Sequence, residues 1–296
     1  MSRRRNVVAA TALAVTALLL AACGTQSTMN MNADNSMSDM TSDMNIDGSM
    51  MGDHVHNLAF AGGNLVLGTH QGLYMQSGED EPSMMSTDAF DVMGFAMAGS
   101  TWLASGHPGA GMTAPADLGL MMSTDSGKTW TNVSLSGTVD FHRLVALGKA
   151  VLGINSGNGN LMRSDDGGKT WTDFGKTTLY DIAFAPADAN TVIGTSEKGL
   201  MRSTDGGKTF AAVKDAPLLA LLSVTGTKMV GADVYGKVFE STDAGLTWME
   251  IGKLAGQPSA FAASGKNIAA LVDTTVYLST DAGKTFTKHL VNIGGM

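Results

Sequence analysis

The chain has 296 residues, with 27 acidic against 19 basic side chains, a formal charge of −8 and a single cysteine. Such an acidic balance excludes the basic surface that nucleic acid requires, and one cysteine excludes an internal disulfide. Twelve Asp or Glu and no Lys or Arg fall within 24–127, so this part of the surface favours cations.

In chain order, residues 1–22 read as an export signal, with Arg3, Arg4 and Arg5 ahead of a short apolar run over 7–22. That run is short for a membrane span and has the wrong flanks. Leu20-Ala21-Ala22-Cys23 fits a lipobox with cleavage just before Cys23. The plainer alternative is a free thiol after an ordinary secretory signal. The position of Cys23 favours the lipid-carrying role, which anchors the protein to the membrane at the extracytoplasmic face of the cell. Losing the three arginines takes the formal charge from −8 to −11.

Residues 23–53 form a low-complexity segment, poor in aliphatic and aromatic side chains, that is expected to stay disordered as a tether. Seven methionines lie in it: Met29, Met31, Met37, Met40, Met44, Met50 and Met51. Compositional drift would account for them, but thioethers are ligands for soft Cu(I) and oxidisable in a solvated linker. Their spacing resembles the Met-rich segments of exported copper-handling proteins.

From His54 the apolar residues alternate with period two, and turn signals follow every ten residues or so. A pattern S-x-D-x-G-x-T-[W/F] recurs at 123–130, 164–171, 203–210, 241–248 and 279–286. Its aspartates, Asp125, Asp166, Asp205, Asp243 and Asp281, lie 41, 39, 38 and 38 residues apart. A period near forty denotes one supersecondary unit repeated. The Ser and Asp oxygens accept backbone N–H bonds in a tight turn, the Gly permits positive φ, and the aromatic anchors the turn in the core. Six units parse over 54–81, 82–136, 137–176, 177–215, 216–256 and 257–296. The first has a degenerate turn near Gln76, and the second an insertion at 109–117. In the fourth, strands are expected at 180–185, 191–195, 199–203 and 210–213.

The repeated pattern resembles the Asp-box, or BNR, repeat of β-propellers, found in sialidases, other glycosidases and several non-enzymatic propellers. The resemblance implies an all-β, six-bladed propeller over 54–296, with each box turn joining the third and fourth strands of a blade. The boxes are structural, so activity does not follow from them.

In an antiparallel meander, the start of the first strand and the loop after the second share one face, opposite the boxes. His54, His56 and His142 fall at starts of first strands, and His70 and His107 follow second strands, all in units one to three. Singly, each reads as a loop or core histidine. Together they are expected to converge so that at least three imidazoles share one ion, copper first and zinc as the alternative. His289 lies elsewhere. The surrounding words, His54-Val-His56-Asn-Leu-Ala, Gly68-Thr-His70-Gln-Gly-Leu, Ser105-Gly-His107-Pro and Asp140-Phe-His142-Arg-Leu, resemble a group of exported bacterial propellers commonly labelled BNR-type glycosyl hydrolases. Asn57 departs from that resemblance, which implies Gly there.

A sialidase needs three arginines around the substrate carboxylate, but beyond the signal only Arg143, Arg163 and Arg202 occur, the last two beside box serines. A general glycosidase needs two carboxylates. Asp91, Asp140 and Asp181 are weak catalytic candidates, read more simply as caps at strand starts. Three functions thus stand: a metal-binding lipoprotein, a glycosidase using the mouth-face aspartates, and a non-catalytic scaffold with a protein partner in membrane-complex assembly. The metal reading is preferred, and no catalytic role is favoured.

Overall fold

The computed structural model describes residues 54–87 and 89–293. The signal, Cys23 and the seven methionines of 23–53 lie outside the described residues, as does the first of the chain's two units, Met1–Met44. No helix of the described residues is long and apolar enough to cross a membrane.

Within the second unit, 24 strands form six four-stranded antiparallel sheets, each in sequential order. Blade 1 holds β1 (Val55–Ala61), β2 (Asn64–Thr69), β3 (Gly72–Gln76) and β4 (Ser83–Met84). Blade 2 holds β5 (Phe90–Ala98), β6 (Thr101–Pro108), β7 (Leu120–Ser123) and β8 (Thr131–Ser134). Blade 3 holds β9 (Phe141–Leu147), β10 (Ala150–Asn155), β11 (Asn160–Ser164) and β12 (Thr172–Lys176). Blade 4 holds β13 (Leu179–Ala185), β14 (Asp188–Ser196), β15 (Gly199–Ser203) and β16 (Ala211–Ala212). Blade 5 holds β17 (Leu219–Thr225), β18 (Lys228–Asp233), β19 (Lys237–Ser241) and β20 (Met249–Lys253). Blade 6 holds β21 (Pro258–Ser264), β22 (Asn267–Val272), β23 (Thr275–Ser279) and β24 (Thr287–Leu290).

Short β-turns between strands leave no room for helices, and each sheet buries apolar side chains against its neighbours. One cluster joins Trp102 and Phe95 of blade 2 to Val66 and Leu73 of blade 1. Another joins Leu67 and Tyr74 of blade 1 to Leu271 and Val276 of blade 6, closing the ring. His289 on β24 adds a 2.7 Å hydrogen bond to Gln76 Oε1 across the same seam. Burial lowers the pKa of His289, which suits a neutral ring in that bond.

The box turns follow a common hydrogen-bond plan. Ser123 Oγ donates to Asp125 Oδ1 at 2.8 Å and accepts from Gly127 N at 2.9 Å. Asp125 Oδ1 accepts from Thr129 N at 3.0 Å, and Oδ2 from the Thr129 hydroxyl at 2.6 Å. The same Ser, Asp and Thr bonds recur at Asp166, Asp205, Asp243 and Asp281. The residue before the Gly also takes positive φ, even where it is Ser126, Ala244 or Ala282. Trp130 is buried, whereas Trp171, Phe210, Trp248 and Phe286 are half-buried. The Trp171 indole N–H donates to Gly168 O at 2.9 Å and to Ser134 Oγ at 3.0 Å, so one ring edge stays at the turn surface. This turn thereby docks on β8, the outer strand of the preceding blade.

Inner strands carry a register shift near their first residues in all six blades. The extra residue is His56, Met93, His142, Tyr180, Ala220 or Ser259, from blade 1 to blade 6. A bulge turns a side chain out of strict alternation. Here it does so six times around one rim. The inner strands enclose a central cavity of about 520 Å³ lined by residues of every blade, among them His56, Arg143, Asp181 and Phe261.

Candidate metal centre

β1 starts where β2 ends, with Val55 opposite Thr69, so His54, His56 and His70 meet at the rim away from the boxes. His56 occupies the bulge of β1. Its Nε2 lies 3.4 Å from His70 Nδ1. Asp91 on β5 completes the group, its Oδ1 being 3.0 Å from His70 Nδ1 and 3.8 Å from His56 Nε2. The His54 ring stands beside His70, 5.1 Å between centroids, but is exposed.

The second group is built across blades 2 and 3. His142 occupies the bulge of β9, and its Nε2 lies 2.6 Å from Asp140 Oδ2. His107 Nε2 on β6 approaches the same oxygen at 3.6 Å. His107 Nδ1 lies 3.0 Å from Ala116 O. A carbonyl only accepts, so Nδ1 carries the proton in the neutral ring and Nε2 presents a lone pair toward Asp140. The insertion between β6 and β7 supplies that carbonyl, fixing the tautomer as an outer partner of a metal ligand does.

These six residues form two distinct sets, His56–His70–Asp91 and His107–Asp140–His142, whose donor atoms lie within 4.8 Å of one another in each set. The five histidines thus fall into two groups rather than one. They divide two by two, each pair around a carboxylate, with His54 at the margin. The repeat register brings side chains of adjacent blades together: Asp91 of blade 2 joins the histidines of blade 1, and His107 of blade 2 joins Asp140 and His142 at the start of blade 3.

Burial and hydrogen bonding perturb one titratable group in each set. Burial, followed by repulsion from His70, lowers His56 from 6.5 to about 4, against the pull of Asp91. Its imidazole is neutral at physiological pH, as a ligand must be. Burial opposes ionisation of Asp140, but hydrogen bonds from His142 and Ser156 and the two nearby histidines outweigh it and hold the carboxyl below its usual range. Asp91 Oδ1 and Asp140 Oδ1 are buried without a hydrogen-bond partner among the described residues. Buried carboxylate oxygens left in that state are costly unless something positive faces them.

Asp181 is a different case. It sits on β13, accepts from Leu222 N at 2.7 Å and Ile182 N at 2.9 Å, and faces Arg143 Nε at 3.6 Å. Burial raises its pKa against those three interactions. Its partners tie blades 3, 4 and 5 together at the channel wall. Asn57 also gains a reason: its amide donates to Val92 O and Met93 O at 3.2 and 3.0 Å, bracing blade 1 against the blade 2 bulge. Glycine could make neither bond.

Sheet order, box turns and ring closure together define a six-bladed β-propeller of the Asp-box, or BNR, type. Residues 173–296 match the family described as photosynthesis system II assembly factor YCF48. The matched part covers blades 4 to 6 and the outermost strand of blade 3, and contains none of the five rim histidines. No curated protein matches the chain. Among solved structures, a GH74 xyloglucanase from Xanthomonas campestris is 17% identical over 81% of this chain and 46% of its own, with a TM-score of 0.54. A structure of YCF48 bound to D1 peptide is 18% identical over 82% and 84%, with a TM-score of 0.50. The nidogen/laminin complex gives 11% identity over 76% and 91%, with a TM-score of 0.56. The chain spans about half the length of the GH74 enzymes it resembles. At these identities the similarity is one of fold.

Proposed function

We propose that the protein binds a transition metal, copper foremost, through the histidine–aspartate groups on its rim, from a lipid anchor at Cys23 outside the cytoplasmic membrane. The observation carrying this reading is that two His₂Asp sets each bring three donor atoms within 4.8 Å of one another, and that Asp91 Oδ1, the oxygen facing His56 and His70, is buried and accepts no hydrogen bond. A tetrahedral ion with bonds of about 2.0–2.1 Å sets ligand atoms roughly 3.3–3.4 Å apart. The first set has separations of 3.0, 3.4 and 3.8 Å. Imidazole and carboxylate suit Cu(II) or zinc, whereas the thioethers of 23–53 suit Cu(I), so both ligand types in one chain favour copper. The methionines would hold or pass on the reduced ion. Equilibrium dialysis with elemental analysis tests the reading. Wild type retains Cu(II), and a His56→Ala/His142→Ala double variant loses it. Equal retention by a folded double variant refutes the proposal.

A second reading, a scaffold docking a protein partner, draws on exposed apolar side chains at the same rim of blades 4 and 5. Tyr180, Leu218 and Tyr235 are 57%, 60% and 75% exposed. Capture of a membrane protein that is lost on Tyr235→Ala would favour it. The glycosidase reading has less support, because Asp91 and Asp140 are engaged by histidines and Asp181 is buried against structural partners.

A further inference from the structure

Resting on the metal-binding reading, we infer that the rim holds two ions side by side, one in each His₂Asp set, as a paired centre without a bridging ligand. Three observations carry this. First, the sets share no residue, so neither Asp91 nor Asp140 needs to serve two ions. Second, the backbone fixes their proximity. Asp91 on β5 and His107 on β6 are direct cross-strand partners, one reaching the histidines of blade 1 and the other Asp140 of blade 3. Opposed residues of an antiparallel pair have Cα atoms about 4.5–5.5 Å apart, which makes the two sets neighbours on the rim.

Third, each set leaves one carboxylate oxygen without a hydrogen bond, Asp91 Oδ1 in the first and Asp140 Oδ1 in the second. His107, held in its Nδ1–H tautomer by Ala116 O, points a lone pair at Asp140 Oδ2. That oxygen also accepts from the Ser156 hydroxyl at 2.6 Å and lies 2.6 Å from His142 Nε2, so His107 Nε2 stands as a further ligand atom beside an occupied carboxylate edge. In the other set His56 Nε2, His70 Nδ1 and Asp91 Oδ1 converge, and Asp91 Oδ1 has no hydrogen bond of good geometry. Each set supplies three protein ligands, which leaves an open position, as in reactive rather than purely structural sites. His70, His107 and His142 have side chains 43%, 41% and 42% exposed, so the open positions face solvent at the rim. The paired centre is therefore accessible to a small ligand.

The experiment titrates Cu(II) into the full chain without reductant, so that thioethers do not compete. It reads stoichiometry by equilibrium dialysis and spin coupling by electron paramagnetic resonance. Wild type is expected to bind two ions, the second equivalent broadening the spectrum of the first by dipolar coupling. His70→Ala and His107→Ala, both at half-exposed positions that spare the fold, should each bind one ion with an uncoupled spectrum. One ion per wild-type chain, lost in both variants, overturns the pair and leaves metal binding intact. Two ions without coupling in wild type also overturn it, on the native protein alone. Two ions surviving in both variants overturn the pair and the metal-binding reading together.

Discussion

Asp181→Ala offers the sharpest test of how the channel wall is held. The carboxylate accepts two backbone N–H bonds, one from Leu222 in the next blade, and faces Arg143 from the previous one. Removing it orphans two buried donors at about 1–3 kcal/mol each. It also strips Arg143 of its partner, and losing one member of a buried ion pair costs about 3–5 kcal/mol. Arg143 is a third exposed, so water recovers part of that loss, and the lower end, about 3 kcal/mol, is the expectation. For a domain of this size, about 2–4 °C of Tm per kcal/mol predicts a drop of roughly 6–12 °C. Asp181→Asn keeps one acceptor and the shape, so it should fall between wild type and Ala. Differential scanning calorimetry on the three proteins measures this. An Ala variant melting within about 2 °C of wild type, the expected effect of less than 1 kcal/mol, refutes the three-blade clamp.

Other consequences are as direct. At Gly252 on β20 a Cβ would collide with the carbonyl oxygen of Gly283 in the blade 6 box. Gly252→Ala should therefore cost about 1–3 kcal/mol by overpacking, read as a lower urea midpoint with unchanged slope. Ala282 holds a left-handed φ of 63°, so Ala282→Gly should raise Tm slightly, relief of about 1–2 kcal/mol of strain exceeding the entropy that glycine adds to the unfolded chain. The hydroxyl and backbone N–H of Thr285 and the hydroxyl of Ser279 lower Asp281 to about 2 from 3.8. A depressed carboxyl stabilises the fold above its unfolded pKa and loses that effect as pH falls through the folded one, so Tm should decline between about pH 4 and 2. Asp281→Asn should make that decline shallower, and an identical acid profile would contradict the box electrostatics. Cys23→Ser should release the protein from membranes or block its processing, which fractionation and mass of the amino terminus would reveal.

Much of the fold was legible because repetition averages out local ambiguity. Five copies of one turn gave the period, the period gave the blades, and the meander gave the end on which each histidine lies. In blade 4, strands expected at 180–185 and 199–203 run over Leu179–Ala185 and Gly199–Ser203. The outermost strand, expected at 210–213, shrinks to Ala211–Ala212, since a blade edge needs few ladder bonds. Blade 1 kept the plan without the box: Gln76 pairs with Leu65 where box serines pair elsewhere, and it bonds His289 to seal the ring. The partition of the histidines was not legible in the same way. It depends on which side of blade 2 each side chain takes, and on Asp91 and Asp140 acting as partners rather than strand caps. Their sequence signal was present, an Asp two residues before His142 and an Asp directly across the strand pair from His107, but it needs the register to be read.

The departures from symmetry are where function can reside. A propeller repeats one frame six times, so a feature common to all blades, such as the box or the bulge, explains stability and not activity. The bulge residues break that equivalence. Two are histidines, His56 and His142, and between them blade 2 carries Met93; farther round come Tyr180, Ala220 and Ser259. The frame is therefore an aiming device: the fold supplies six positions out of strict alternation around a channel, and the sequence decides which carry chemistry. Blades 1 and 3 use them for imidazoles beside buried carboxylates, in the part of the chain that lies before the matched family segment. Blades 4 and 5 instead expose Tyr180 and Tyr235, surfaces suited to packing. A rim that is charged and ligand-rich on one half and aromatic on the other can hold an ion against a bound partner, so metal binding and docking are compatible uses of one face.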